Sequence, residues 1–137
     1  MKSLIPAYVL LFSLVIFSCS QETMDERLSR EAREYTTRYC PKPLDEVVTL
    51  DSVVYYLPQK NESGRYAYFH TVECDSMTIL NLIEQRDYVR DELLSKINNA
   101  QDMTYLKEHG VTIQYTFYTK IEKQIIYDFR YTKGMYK

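Results

Sequence analysis

Four runs rich in β-branched and aromatic residues constrain this chain more than any other feature. They are "EVVTLDSVVYYL" at 46–57, "RYAYFHTV" at 65–72, "VTIQYTFYT" at 111–119 and "QIIYDFRY" at 124–131. Three of them alternate strictly, which is the period of a strand whose successive side chains point to opposite faces. Tyr66, Tyr68, His70 and Val72 share one face, with Ala67, Phe69 and Thr71 on the other. Val111, Ile113, Tyr115 and Phe117 share a face, as do Ile125, Tyr127, Phe129 and Tyr131. "PQKNESG" at 58–64 and "KIEK" at 120–123 supply the turns, the second without the Gly that a tight hairpin prefers. The runs therefore predict two β-hairpins.

Helical periodicity fills the remaining stretches. In residues 22–39, Met24, Leu28, Ala32, Tyr35 and Tyr39 form one stripe, with Glu26–Arg30, Arg30–Glu34 and Glu34–Arg38 pairs on the outer faces. Pro41 and Pro43 stop that helix. A second helix is expected over about 80–98, with Leu82, Val89, Leu93 and Ile97 inward and Asn81/Glu84 as its capping box. A short turn of helix follows, with Asp102 as N-cap and Gly110 as the stop. The order helix-strand-strand-helix-strand-strand predicts an α+β fold: a four-stranded antiparallel sheet of two hairpins with the helices on one face.

The first 19 residues do not belong to that domain. Lys2 precedes an apolar run of 14 residues, 4–17, too short to span a membrane, which needs about 20. A positive start, a short apolar core and a small residue at the break describe an export signal. The junction Ile16-Phe17-Ser18-Cys19 resembles the lipobox of bacterial lipoproteins. The resemblance implies removal of residues 1–18, lipidation of Cys19 as the new N-terminus, a short linker over 19–24 and a single α+β domain over 25–137. It also implies a membrane partner through the lipid, and a cell-envelope address: the outer membrane, on its periplasmic or surface-exposed side.

Removing 18 of 137 residues leaves 119, with 16 basic and 19 acidic side chains. A weakly acidic chain without a Lys/Arg cluster argues against nucleic acid and against attachment by charge to anionic lipid. Of three cysteines, lipidation would use Cys19; Cys40 and Cys74 remain, and an oxidising compartment makes them a candidate disulfide, with two free thiols as the alternative.

"CPKPLDEVVTLDSVVYY" and "LKEHGVTIQYTFYTKIEKQIIYDF" resemble, in layout, small outer-membrane lipoproteins of unknown function and pilotin lipoproteins, which chaperone secretion pores. The layout transfers no functional residue.

No motif fixes a chemistry. His109 sits at a helix end, where it would satisfy carbonyls; His70, Cys74 and Asp75 give at most three metal ligands where zinc wants about four. No glycine-rich phosphate loop or paired-carboxylate site is present, so no cofactor and no catalytic residue is expected. The unusual quantity is tyrosine: 14 residues, with no tryptophan. Tyrosine is a good strand residue and also a recognition residue. Tyr55, Tyr56, Tyr66, Tyr68 and Tyr118 are the candidate binding surface, because a sheet covered on one side cannot hide all of them. The reading is a non-enzymatic lipid-anchored envelope module that binds or helps assemble a protein partner. The alternative is an accessory lipoprotein taking glycan or peptide on the tyrosine face.

Overall fold

The computed structural model describes residues 20–137. The signal-peptide and lipidation expectations, Cys19 included, fall outside the described residues.

Helix α1 spans Met24–Tyr39 and begins with a full capping box: Thr23 Oγ1 accepts from Glu26 N, and the Glu26 carboxylate accepts from Thr23 N. Leu28 and Ala32 are buried and Met24 and Tyr35 pack beside them, while Tyr39 is half exposed. The outer face carries Arg27–Glu31 and Arg30–Glu34, and Arg30 also holds Glu22 at 2.7 Å. The chain then runs through β1 (Lys42–Pro43), β2 (Val48–Tyr56) and β3 (Arg65–Val72). Helices α2 (Ser76–Glu84), α3 (Arg86–Asn99) and α4 (Thr104–Glu108) follow, a single 3-10 turn separating the last two. Strands β4 (Thr112–Thr119) and β5 (Ile125–Tyr131) close the domain.

The fold is α+β as expected, but the sheet has five strands in the order β1-β2-β3-β4-β5 and is not purely antiparallel. The two expected hairpins are present. They meet through a parallel pair, β3 beside β4, with Tyr68 opposite Tyr115 and Val72 opposite Thr119. The connection explains this. Fourteen-residue α3 is about 21 Å long, close to the length of an eight-residue strand. It carries the chain back to the end of the sheet where β3 began, so β4 must run alongside β3 in the same direction. The added strand β1 is two residues on the sheet edge, where Pro43 costs no ladder bond.

The predicted second helix is two helices. It starts earlier, at Asp75, whose carboxylate accepts from Thr78 N at 2.8 Å, and it breaks at Gln85; Asn81 and Glu84 form no cap. Asp102 likewise caps nothing and lies within the 3-10 turn. Gly110 does end α4, at φ +66°, where a Cβ would be strained. The β4–β5 turn, lacking glycine, places Lys123 at φ 54° instead.

The helices cover one sheet face, and the core between is largely aromatic. Tyr55, Tyr66, Tyr127, Tyr131 and Phe129 are buried there with Leu28, Ile97 and Ile113. Each buried tyrosine needs a partner for its hydroxyl. Tyr55 donates to Asp25 Oδ1 at 2.6 Å, Tyr127 to Leu82 O, Tyr131 to Arg90 O at 2.7 Å and Tyr136 to Val111 O at 2.9 Å. Three of these bonds tie strands to helices, which accounts for much of the tyrosine content: rings fill the interface and hydroxyls fasten its far side. Burial pushes Tyr66 and Tyr131 up to about 12, so both stay neutral at physiological pH. Gly64 is needed at the same junction, because a Cβ there would stand 1.9 Å from the Tyr55 hydroxyl.

Cys40 and Cys74 are free thiols, correcting the disulfide expectation. Lys42 faces Leu50 across the β1–β2 ladder and Val72 faces Val48 across β2–β3. Continued along β2, these registers put the cysteines about six residues, or about 20 Å, apart. A disulfide needs Cα atoms within about 7 Å. Both sit at the ends of elements, as anticipated, but Cys40 lies level with the middle of β2 and Cys74 lies beyond its start.

Candidate functional site

The predicted tyrosines divide between the two faces. Tyr55, Tyr66 and Tyr68 lie beneath the helices; Tyr68 stacks on Tyr115 with ring centroids 5.2 Å apart. Tyr56 and Tyr118 stand on the uncovered face, Tyr56 under the Arg65 guanidinium at 4.5 Å and Tyr118 stacked on Phe69 at 6.3 Å. The structure therefore does not gather the five into one surface.

His70 is held in the core and His109 sits at a helix end. His70 is 5% exposed, stacks on Phe117 with ring centroids 4.4 Å apart, and shares a hydrogen bond of 3.2 Å with Thr116 O. Burial holds its pKa below the ordinary imidazole value, so it is neutral at pH 7. His109 Nδ1 meets Tyr105 O at 2.8 Å, one of the last carbonyls of α4. No three potential metal-ligating side chains converge among the described residues.

The most distinctive surface comes from a stretch that reads, in isolation, as core. Helix α2 is "SMTILNLIE", apolar enough to be buried, yet none of its residues is. Leu82 faces the core, its carbonyl taking the Tyr127 hydroxyl. Met77, Leu80 and Ile83 are 68%, 57% and 50% exposed. Across from them the β4–β5 turn presents Ile121 at 93%. Between helix and turn runs a groove of about 500 Å³, lined by Cys74, Ile79, Leu80, Ile83 and Ile121, with Val72 and Thr119 at its floor. Its floor is the end of the parallel β3–β4 pair, so the groove depends on the crossover. Burial and neighbouring Asp75 both raise the Cys74 thiol above its usual pKa, so it stays protonated at neutral pH.

Acidic side chains edge the groove. Glu73 is paired with Lys120 at 2.8 Å, while Glu122 is exposed and makes no ion pair among the described residues. Exposed apolar patches of this kind mark interaction sites on soluble domains. Sequence periodicity missed this one because it scores apolar residues as inward-facing; the available signal was that Met77, Ile79, Leu80, Leu82 and Ile83 leave only the Thr78/Asn81 side of the helix polar, a wider apolar arc than one sheet contact can bury.

No helix among the described residues is long and apolar enough to cross a membrane. A chain of this kind is an α+β sheet-and-helix domain with one greasy groove beside its crossover. It belongs to the family described as Domain of unknown function (DUF8479), whose model matches residues 23–127. No curated protein matches it. Its fold is shared with a Pseudomonas aeruginosa protein provisionally described as secreted (PA3611), at 17% identity and TM-score 0.62, over 85% of this chain and 96% of that one. It is also shared with EpsS, the pilotin of the Vibrio vulnificus type 2 secretion system, at 11% identity and TM-score 0.55, over 82% of this chain and 91% of that one.

Proposed function

We propose that this chain is a non-enzymatic, lipid-anchored protein of the bacterial outer membrane that docks a protein partner in the groove between α2 and the β4–β5 turn. The observation that carries the reading is α2 itself: Met77, Leu80 and Ile83 remain outside the core beside an exposed Ile121. Burying one such side chain contributes about 1.5–3 kcal/mol, so leaving three uncovered in a monomer is a cost that a partner removes. The partner segment is apolar with a flanking Lys or Arg, the complement of a groove lined by Glu122, which makes no ion pair among the described residues. The lipobox-like junction at Cys19 supports the anchor. The likeness in fold to a secretion-system pilotin and a provisionally secreted protein supports an envelope role in assembly.

Site-specific photocrosslinking in intact cells tests this. A crosslinker at Met77 or Ile121 should give one discrete protein adduct, and the same reagent at Arg33, on the outer face of α1, should give none. Introducing Leu80→Asp should remove the adduct without unfolding the domain, since Leu80 is already exposed. Adducts equal at both positions, or indifferent to Leu80→Asp, would refute the reading.

A further inference from the structure

The two outer edges of the sheet differ. On β2 the outward backbone groups have partners: β1 pairs with Thr49 and Leu50, and the Thr36 hydroxyl bonds both backbone groups of Val53. On β5 they do not. The direction of each group follows from the ladder. In β4, Thr112 N donates to Gly64 O, and just past the strand Lys120 N donates to Val72 O, so the even-numbered residues turn toward β3. Ile113, Tyr115 and Phe117 therefore turn toward β5, where they meet Tyr131, Phe129 and Tyr127. That leaves the N–H and C=O of Asp128 and Arg130 pointing away from the sheet, and no hydrogen bond among the described residues reaches them there.

An open edge is a template for another strand, and proteins usually blunt it with proline, lysine or a bulge. Here the bulge at Phe117/Tyr118 lies before these residues, and 127–131 runs regular beyond it. The strand is also held rigid from below: Tyr127 and Tyr131 are buried and bonded through their hydroxyls to the carbonyls of Leu82 and Arg90. Pairing at this edge would order little that is not already ordered. The two side chains beside the open groups are themselves only partly used. Asp128 Oδ1 accepts from Gln114 Nε2 at 2.6 Å and Thr116 Oγ1 at 3.2 Å, but Oδ2 lies 4.0 Å from Arg130 Nη2 of the same chain. Antiparallel strands set outward-facing residues against outward-facing residues. Two copies of β5 meet that condition when they pair about Phe129, which places Asp128 opposite Arg130 of the second copy and Arg130 opposite its Asp128. Opposite charges directly across a ladder stabilise it and like charges repel. Sliding the register two residues either way sets Asp128 against Asp128 or Arg130 against Arg130, so the charges select the central register.

We propose that two copies of this chain pair antiparallel through β5 about Phe129, joining two five-stranded sheets into one continuous sheet with an Asp128–Arg130 ion pair on each side of the axis. Sedimentation of the full chain in detergent, with micelles in large excess over protein, should show the protein mass doubling between about 1 µM and about 1 mM, as suits a small interface. Over the same range amide hydrogen exchange at Asp128 and Arg130 should slow at least about tenfold, while Val53 N–H, already bonded to Thr36, should not change. Arg130→Glu alters a half-exposed side chain, so it should stay monomeric with an unchanged circular dichroism spectrum. Asp128→Arg combined with Arg130→Glu restores opposite charges across the axis and should pair again. Arg130→Pro removes an outward N–H without touching the β4 ladder and should also stay monomeric, which tests the edge even if the double variant does not fold. A chain monomeric up to about 1 mM, or Arg130→Glu or Arg130→Pro pairing as the wild type, would overturn the proposal, and so would a folded double variant that stays monomeric. A photocrosslinker at Arg130 in intact cells should give an adduct of twice the chain's mass; an adduct to a different protein alone would assign this edge to that protein and overturn self-pairing.

Discussion

Replacing Thr36 by Val should destabilise the domain out of proportion to the change in shape. Thr36 lies on α1, and its hydroxyl accepts from Val53 N at 2.8 Å and donates to Val53 O at 2.9 Å. Strand β1 covers β2 only at Thr49 and Leu50, so by Val53 the edge of β2 has no neighbouring strand. One hydroxyl therefore stands in for a strand and satisfies both backbone groups of a residue whose side chain is 3% exposed. Valine keeps the shape and has a similar helix propensity, but leaves the N–H and C=O of Val53 unpaired. Each orphaned group costs about 1–3 kcal/mol, and the site is only partly buried, so water recovers some of it; the net should be about 2–4 kcal/mol. That is a large share of the stability of a domain this size, about 6–17 kcal/mol. Urea unfolding followed by circular dichroism measures it. Thr36→Ser, which keeps the hydroxyl and loses one methyl, should cost about 1 kcal/mol. A Thr36→Val within about 0.5 kcal/mol of wild type, or a Thr36→Ser equal to it, would show that the hydroxyl does not hold the helix to the sheet edge.

Stability should also depend on pH through His70. Its folded pKa is lowered by burial from 6.5, so below that value the unfolded chain binds the proton the folded one resists. Stability should fall as pH drops from about 6.5 toward the folded value and should be independent of His70 above it; thermal melts of His70→Phe, which keeps the stack on Phe117, should lose that slope. Both Cys40 and Cys74 should be alkylated in unreduced protein, and slowly, because burial raises both thiols; intact mass should show two added groups, and a species that takes none would restore the disulfide.

What the sequence determined by itself was local. Alternation in 65–72 and 111–119 placed those strands and separated Tyr118 from Tyr115, because side-chain direction within a strand follows from position alone. The α1 stripe and the Gly110 stop were legible for the same reason: caps, prolines and glycines act on their immediate neighbours. Tertiary structure decided the rest. Which edge of one hairpin meets the other depends on how far α3 carries the chain back, so the parallel β3–β4 pair lies outside any local window. That pairing positions α2 beside the β4–β5 turn and creates the groove. Register across three strands, not proximity in sequence, holds Cys40 and Cys74 apart. The tyrosines were sorted the same way: residue types were visible in the chain, but Tyr55, Tyr66 and Tyr68 became core only because the helices came to rest on their side of the sheet. Burial is a property of what packs against a face, and the sequence of that face does not contain it.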